Sequence, residues 1–117
     1  MTQIYQKQKE YFRSGVTLDV SWRRKQLQAL YDVIVRKEKV ITDALYKELE
    51  KSAEESYMSE IGMVLSEITH MKKNLKRYSS RKYVSSPLAQ FPSISYEQAV
   101  PYGNVLIMSP WNYPFLL

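Results

Sequence analysis

The 117 residues contain no cysteine. That absence excludes disulfides, thiolate metal sites and a cysteine nucleophile within this stretch. It is silent on redox compartment, because a lack of cysteine suits either. Histidine occurs once, as His70, with no cysteine or second histidine beside it, so no metal-ligating set is expected. No apolar run approaches the length that crosses a bilayer. The opening MTQIYQKQKEYFRSG lacks the apolar stretch of a secretory signal. The expectation is a cytoplasmic, soluble chain with no membrane contact from this segment.

Apolar residues make up 44% and aromatic residues 13%, which argues against disorder. The length suits one domain, and a chain of this size buries roughly two thirds of its extended surface. The net charge of +5 is spread out, with Lys and Arg alternating with Glu along the helical stretches. The densest basic run is Lys72, Lys73, Lys76 and Arg77, followed by Arg81 and Lys82. It reads as a solvated helix end that complements the helix dipole. A nucleic-acid footprint would need such a patch on one face with base-reading or stacking groups beside it, and with the solvated helix end the preferred reading nucleic acid is not an expected partner.

The first 78 residues carry helical periodicity. Ile4, Tyr5, Gln8, Tyr11 and Phe12 recur at three and four over Thr2 to about Arg13, and Ser14-Gly15 ends that stretch. Asp19 is placed to cap a second helix, whose face carries Trp22, Leu27, Leu30, Tyr31 and Ile34. Val40, Ile41, Leu45 and Leu49 continue it. Arg36-Lys37-Glu38 is either a joint between two helices or a wet turn of one. Ser52 and Glu55 have capping-box spacing. Behind them run Tyr57, Ile61, Val64, Leu65, Ile68, Met71 and Leu75 over about six turns. Gly62 inside this helix costs about 1 kcal/mol relative to Ala; it is either tolerated or there for close packing. Trp22 with Tyr5, Tyr11 and Tyr31 reads as an aromatic face joining the first helices. Glu48, Glu50, Glu54, Glu55, Glu60 and Glu67 read as solvated helix faces.

The character changes after Arg77. Residues 79–92 hold Ser79, Ser80, Ser85, Ser86, Pro87 and Pro92 and read as an extended connector. Residues 93–100 alternate imperfectly and suit an edge strand or hairpin arm. Pro101-Tyr102-Gly103 is a turn. Asn104-Val105-Leu106-Ile107-Met108-Ser109 is a short apolar run, read as a buried parallel strand. A single strand forms no sheet. Its partner is therefore another arm of the chain or sequence beyond these residues. There is no internal repeat.

Ligands of open α/β sheets sit beyond the carboxyl ends of strands, which is where Ser109 to Phe115 fall. Asn112 is a candidate site residue on that ground. Its amide carries two donors and an acceptor, and such donors stabilise a developing oxyanion. The competing reading is that Asn112 caps the next helix.

The stretch Pro101-Tyr102-Gly103-Asn104-Val105-Leu106-Ile107-Met108-Ser109-Pro110-Trp111-Asn112-Tyr113-Pro114-Phe115 resembles the strand-and-turn motif of the aldehyde dehydrogenases, roughly P-x-G-V-V-x-x-I-x-P-W-N-Y-P. Asn104, where the family usually has a small apolar residue, and Met108 depart from it without spoiling the strand. Tyr11-Phe12-Arg13-Ser14-Gly15, the Leu27-to-Tyr31 stretch, Glu60 and Glu67-Ile68 follow in the order of the branch that acts on fatty and aromatic aldehydes.

The resemblance implies an α/β fold of which this is a leading piece: three to four helices, an extended arm and the first strand of the dinucleotide-binding domain. The segments would be 1–78 helical, 79–92 connector, 93–100 arm and 101–117 the start of the cofactor domain. It implies an NAD- or NADP-dependent oxidation of aldehydes to carboxylates through a cysteine thioester, in a homo-oligomer. Asn112 matches the asparagine of the oxyanion hole. Ser109, Pro110 and Trp111 match the turn on the cofactor side, and Tyr113 matches a residue near the substrate tunnel. The family's nucleophile, general base and Gly-rich turn have no counterpart here. The expectation is that these 117 residues alone are catalytically inert and bind no cofactor. The contrasting reading is an inert helical module that self-associates through its apolar stripes; such a module should not need Val105 to Leu117.

Overall fold

The first helix ends where the chain needs a left-handed residue, and a glycine supplies it. In the structure, a computed structural model that describes residues 2–117, α1 (Thr2–Arg13) stops before Gly15, whose φ is 78°. The Ser14 hydroxyl donates to the Tyr11 carbonyl at 2.6 Å, satisfying one of the helix's last acceptors. A 3-10 turn, Val16–Leu18, leads to Asp19. Its carboxylate accepts the backbone N–H of Ser21 at 2.9 Å and that of Trp22 at 3.3 Å, and also the Ser21 hydroxyl. The Ser21 hydroxyl and amide, foremost among these bonds, hold the Asp19 carboxyl below its ordinary pKa. The cap expected at Asp19 is thus in place.

The helix it opens, α2 (Val20–Leu49), is 30 residues long. It passes through Arg36-Lys37-Glu38 without a joint, because nothing there removes a backbone donor or favours a turn. Ile34 and Leu45 are buried on either side of that wet stretch. Glu50, at φ 55°, ends it.

Ser52 caps the next element, its hydroxyl accepting the Glu55 N–H at 3.1 Å. The α-turn α3 (Ala53–Ser56) runs through a π-turn, Tyr57–Ile61, into α4 (Gly62–Ser79). The Gly62 N–H bonds the Tyr57 carbonyl, five residues back. That wider turn inserts one residue into the helical period. Ser56, Glu60 and Ile61 consequently all point inward and are fully buried. It also explains Gly62: a Cβ there would stand 2.9 Å from the Tyr57 carbonyl oxygen.

α2 packs on α4 around Ile34, Ile61, Leu65 and Ile68, with Leu27, Tyr31, Ile41, Val64 and Phe115 against them. The stripe Ile61, Leu65, Ile68 and Leu75 is buried, as its spacing predicts. Leu30, assigned to the same face of α2, is instead half exposed. Lys72 crosses between the helices to donate to Gln28 Oε1 and lies 5.5 Å from the centre of the Tyr31 ring. Tyr11 and Trp22 pack with ring centroids 6.1 Å apart, joining α1 to α2, whereas Tyr5 remains exposed.

The connector is more structured than its Pro and Ser content predicts. β1 (Lys82–Val84) lies within it and pairs antiparallel with β2 (Ser95–Glu97), in the expected arm. Tyr83 faces Tyr96 in register, their rings edge to face at 6.2 Å. The expected parallel strand over 104–109 is corrected: these residues form no strand, and Val105 to Met108 are at least 70% exposed. Ladder hydrogen bonds require a neighbouring strand, and none lies beside them among the described residues. The fold is α/β and mostly helical, with a single two-stranded antiparallel sheet among the described residues.

Candidate functional site

The residues singled out by sequence, Ser109 to Tyr113, lie together on the turn that follows the apolar run. That turn is pinned from its far side. The N–H groups of Leu116 and Leu117 both reach the Tyr113 carbonyl, at 3.0 and 3.1 Å, and make one helical turn. Phe115 packs into the α2–α4 core. Tyr113 has φ 49°, a left-handed conformation that an L side chain rarely adopts.

Glu60 does the pinning. Its carboxylate is completely buried. Oε2 accepts the Phe115 N–H at 2.8 Å and the Leu116 N–H at 3.2 Å. Oε1 accepts from Lys51 Nζ at 2.5 Å. Lys51, its side chain only 12% exposed, also stands 4.5 Å from the centre of the Tyr113 ring. One lysine and one glutamate therefore hold both ends of the turn: the ring at 113 and the amides at 115 and 116.

Burial pushes the Glu60 carboxyl upward, but the Lys51 ammonium and then the two amides outweigh it and hold the pKa below the usual glutamate value. This overturns the reading of Glu60 as part of a solvated helix face. The sequence did contain a signal. Position 60 precedes Ile61 and stands four before Val64, at the edge of the apolar stripe, and the π-turn rotates it inside.

Asn112 is exposed, and its amide makes no hydrogen bond among the described residues. It does not cap the turn behind it, because the first amides there are taken by Glu60. Ser109, Pro110 and Trp111 are exposed, with Trp111 at 89%. Tyr113 faces Lys51. No group of three metal-ligating side chains occurs among the described residues, and no helix there is long and apolar enough to cross a membrane. His70 instead pairs through Nε2 with the Tyr78 hydroxyl at 3.0 Å.

Comparison with known proteins bears on the family and the fold. The profile of the aldehyde dehydrogenase family matches residues 1–117. The chain is 43% identical over 109 residues to the 4,4'-diaponeurosporen-aldehyde dehydrogenase of Staphylococcus aureus, covering 93% of this chain and 24% of that protein. It is 40% identical over 106 residues to the chloroplastic aldehyde dehydrogenase family 3 member I1 of Arabidopsis thaliana, covering 91% and 19% respectively. A solved structure of Staphylococcus aureus AldH in a substrate-bound state superposes with a TM-score of 0.94 at 41% identity, over 97% of this chain and 25% of that one. The architecture is thus part of the aldehyde dehydrogenase fold. The chain belongs to the aldehyde dehydrogenase family, and spans about a quarter of the length of the curated relatives it matches.

Proposed function

We propose that this chain is the leading portion of an NAD(P)-dependent aldehyde dehydrogenase that converts aldehydes to carboxylates through a cysteine thioester. Asn112 is its contribution to the chemistry. The observation that carries this reading is an exposed amide, free of hydrogen bonds to the described residues, on a turn bonded to the helical core. The amide N–H of Asn112 donates to the oxygen of the tetrahedral intermediate as negative charge develops on it. Because the backbone beside it is held in advance, the donor needs little reorganisation when that charge appears.

In this reading the nucleophile and the general base come from sequence outside these residues, and the 117 residues alone are inactive. Residues 101–117 begin the cofactor domain. The Ser109 hydroxyl and the flat Trp111 ring, with Pro110 between them, suit the nucleotide side of the site. The nicotinamide cofactor, when bound, accepts the hydride. Tyr113 borders the substrate side. The hairpin of β1 and β2 serves subunit contacts in a homo-oligomer. The name of the Staphylococcus aureus relative supports an aldehyde as the substrate class.

The test uses the full-length protein. Reduced cofactor should form from fatty or aromatic aldehydes, and Asn112→Ala should lower kcat by about 10²–10³-fold. A full-length protein that forms no NADH or NADPH from any such aldehyde, or an undiminished Asn112→Ala variant, would sink the reading.

A further inference from the structure

Neither Glu60 nor Lys51 hydrogen-bonds Asn112, yet the backbone on the far side of its turn depends on them. Resting on the reading of Asn112 above, we propose that Glu60, with Lys51, is a positioning residue for the oxyanion-hole amide. The two hold the 113–116 turn in the conformation that aims Asn112 outward.

Three observations combine. Tyr113, the residue next to Asn112, has φ 49°. Backbone in this region persists when its surroundings over-determine it, and such positions cluster at functional sites. Here the surroundings are identifiable: Lys51 Nζ lies over the Tyr113 ring, and Glu60 Oε2 holds the Phe115 and Leu116 amides. Both Glu60 oxygens are used and the residue is fully buried, so the carboxylate has no freedom to follow the turn if it moves. Finally, the π-turn, the local departure from helical period, is what brings Glu60 to the inner face. π-turns inside α-helices are frequently found at functional sites.

A loosened turn displaces Asn112 without removing it. Misplacement by about 1 Å is enough to cost up to about 10²-fold in rate. The effect belongs in kcat, because the amide works on charge that develops after substrate binds. Glu60→Gln keeps an oxygen for the amides but presents its NH2 to Lys51, donor against donor. Lys51→Met removes the ammonium from both Glu60 and the Tyr113 ring.

The experiment measures kcat and KM in the full-length protein for Glu60→Gln, Lys51→Met, Asn112→Ala and the double variant Glu60→Gln/Asn112→Ala. Folding is checked by circular dichroism, and Lys51→Met with Lys51→Met/Asn112→Ala carries the same test should Glu60→Gln fail to fold. The expected result is a kcat loss of about 10–10²-fold in Glu60→Gln and Lys51→Met, with KM for the cofactor unmoved. On the Asn112→Ala background Glu60→Gln should add no further loss, since a positioning residue has nothing left to position. A merely structural role would multiply with Asn112→Ala, and that result, or an unchanged kcat in Glu60→Gln, overturns the proposal. An active wild type separates these outcomes from failure of the functional reading itself, since an inactive one overturns both.

Discussion

The carboxylate of Glu60 accepts the backbone N–H of Phe115 at 2.8 Å, 55 positions further along the chain. That bond ties the Trp111–Phe115 turn to the helical core, together with the Phe115 ring in its apolar cluster. The last residues are therefore part of the fold, which speaks against a helical module indifferent to them.

The same bond sets a pH dependence. Burial opposes the Glu60 charge, but Lys51 and the two amides more than offset it, so the folded pKa lies below the ordinary 4.5. A depressed folded pKa means the unfolded chain binds the proton more readily. Glu60 thus contributes stability above the unfolded value, and that contribution is lost as pH falls through the folded value. Urea unfolding of the full-length protein, from neutral pH down past 4.5, should show stability declining on acidification. In Glu60→Gln this part of the decline should be missing. Glu60→Ala leaves Lys51 and the Phe115 amide without a partner, while the Leu116 N–H keeps the Tyr113 carbonyl, and should cost about 3–5 kcal/mol at neutral pH. An acid limb identical in wild type and Glu60→Gln would remove Glu60 from the account.

Two apolar residues that the periodicity treats alike should separate experimentally. Ile61 is fully buried between α2 and α4, whereas Leu30 is 50% exposed. Ile61→Ala should destabilise by about 2–5 kcal/mol, through lost burial and the cavity left behind. Leu30→Ala should fall within about 0.5 kcal/mol, as surface substitutions do. Chemical denaturation of both variants checks the pair, and equal losses would contradict the helix orientation.

Gly62→Ala runs against helix propensity. Propensity alone favours Ala by about 1 kcal/mol. The Cβ, however, would stand 2.9 Å from the Tyr57 carbonyl oxygen and 3.2 Å from Tyr57 Cε1. The oxygen is backbone and holds the π-turn, so it gives way only by distorting that turn and the placement of Glu60. The variant should melt at a lower temperature than wild type. A higher melting temperature would show that the π-turn relaxes at no cost.

Much of the helical part was legible because its causes are local. Asp19, Ser52 and Gly15 act on amides and carbonyls within a few residues, and the Ile61-to-Leu75 stripe follows the helical period. The β2 strand was legible from alternation, while β1 was hidden among Ser and Pro because its pairing depends on residues 11 to 15 positions away. The strand expected over 104–109 failed for a related reason, since apolar character does not supply a neighbour. The order of residues in the Pro101–Phe115 motif identified the family before any contact was known.

The sequence by itself determined the helices, their caps, the buried stripe of α4 and the family, all consequences of residue type at short range or of a long motif. Only the tertiary structure decided what Glu60 does. A glutamate on a helix is ordinarily hydrated, and burial of its charge is tolerable only when opposite charge and amide donors meet it at hydrogen-bond distance. Lys51 lies nine positions before it and the amides of Phe115 and Leu116 lie 55 and 56 after it. No local pattern records that meeting; it exists once the π-turn rotates Glu60 inward and the tail folds back onto α2 and α4.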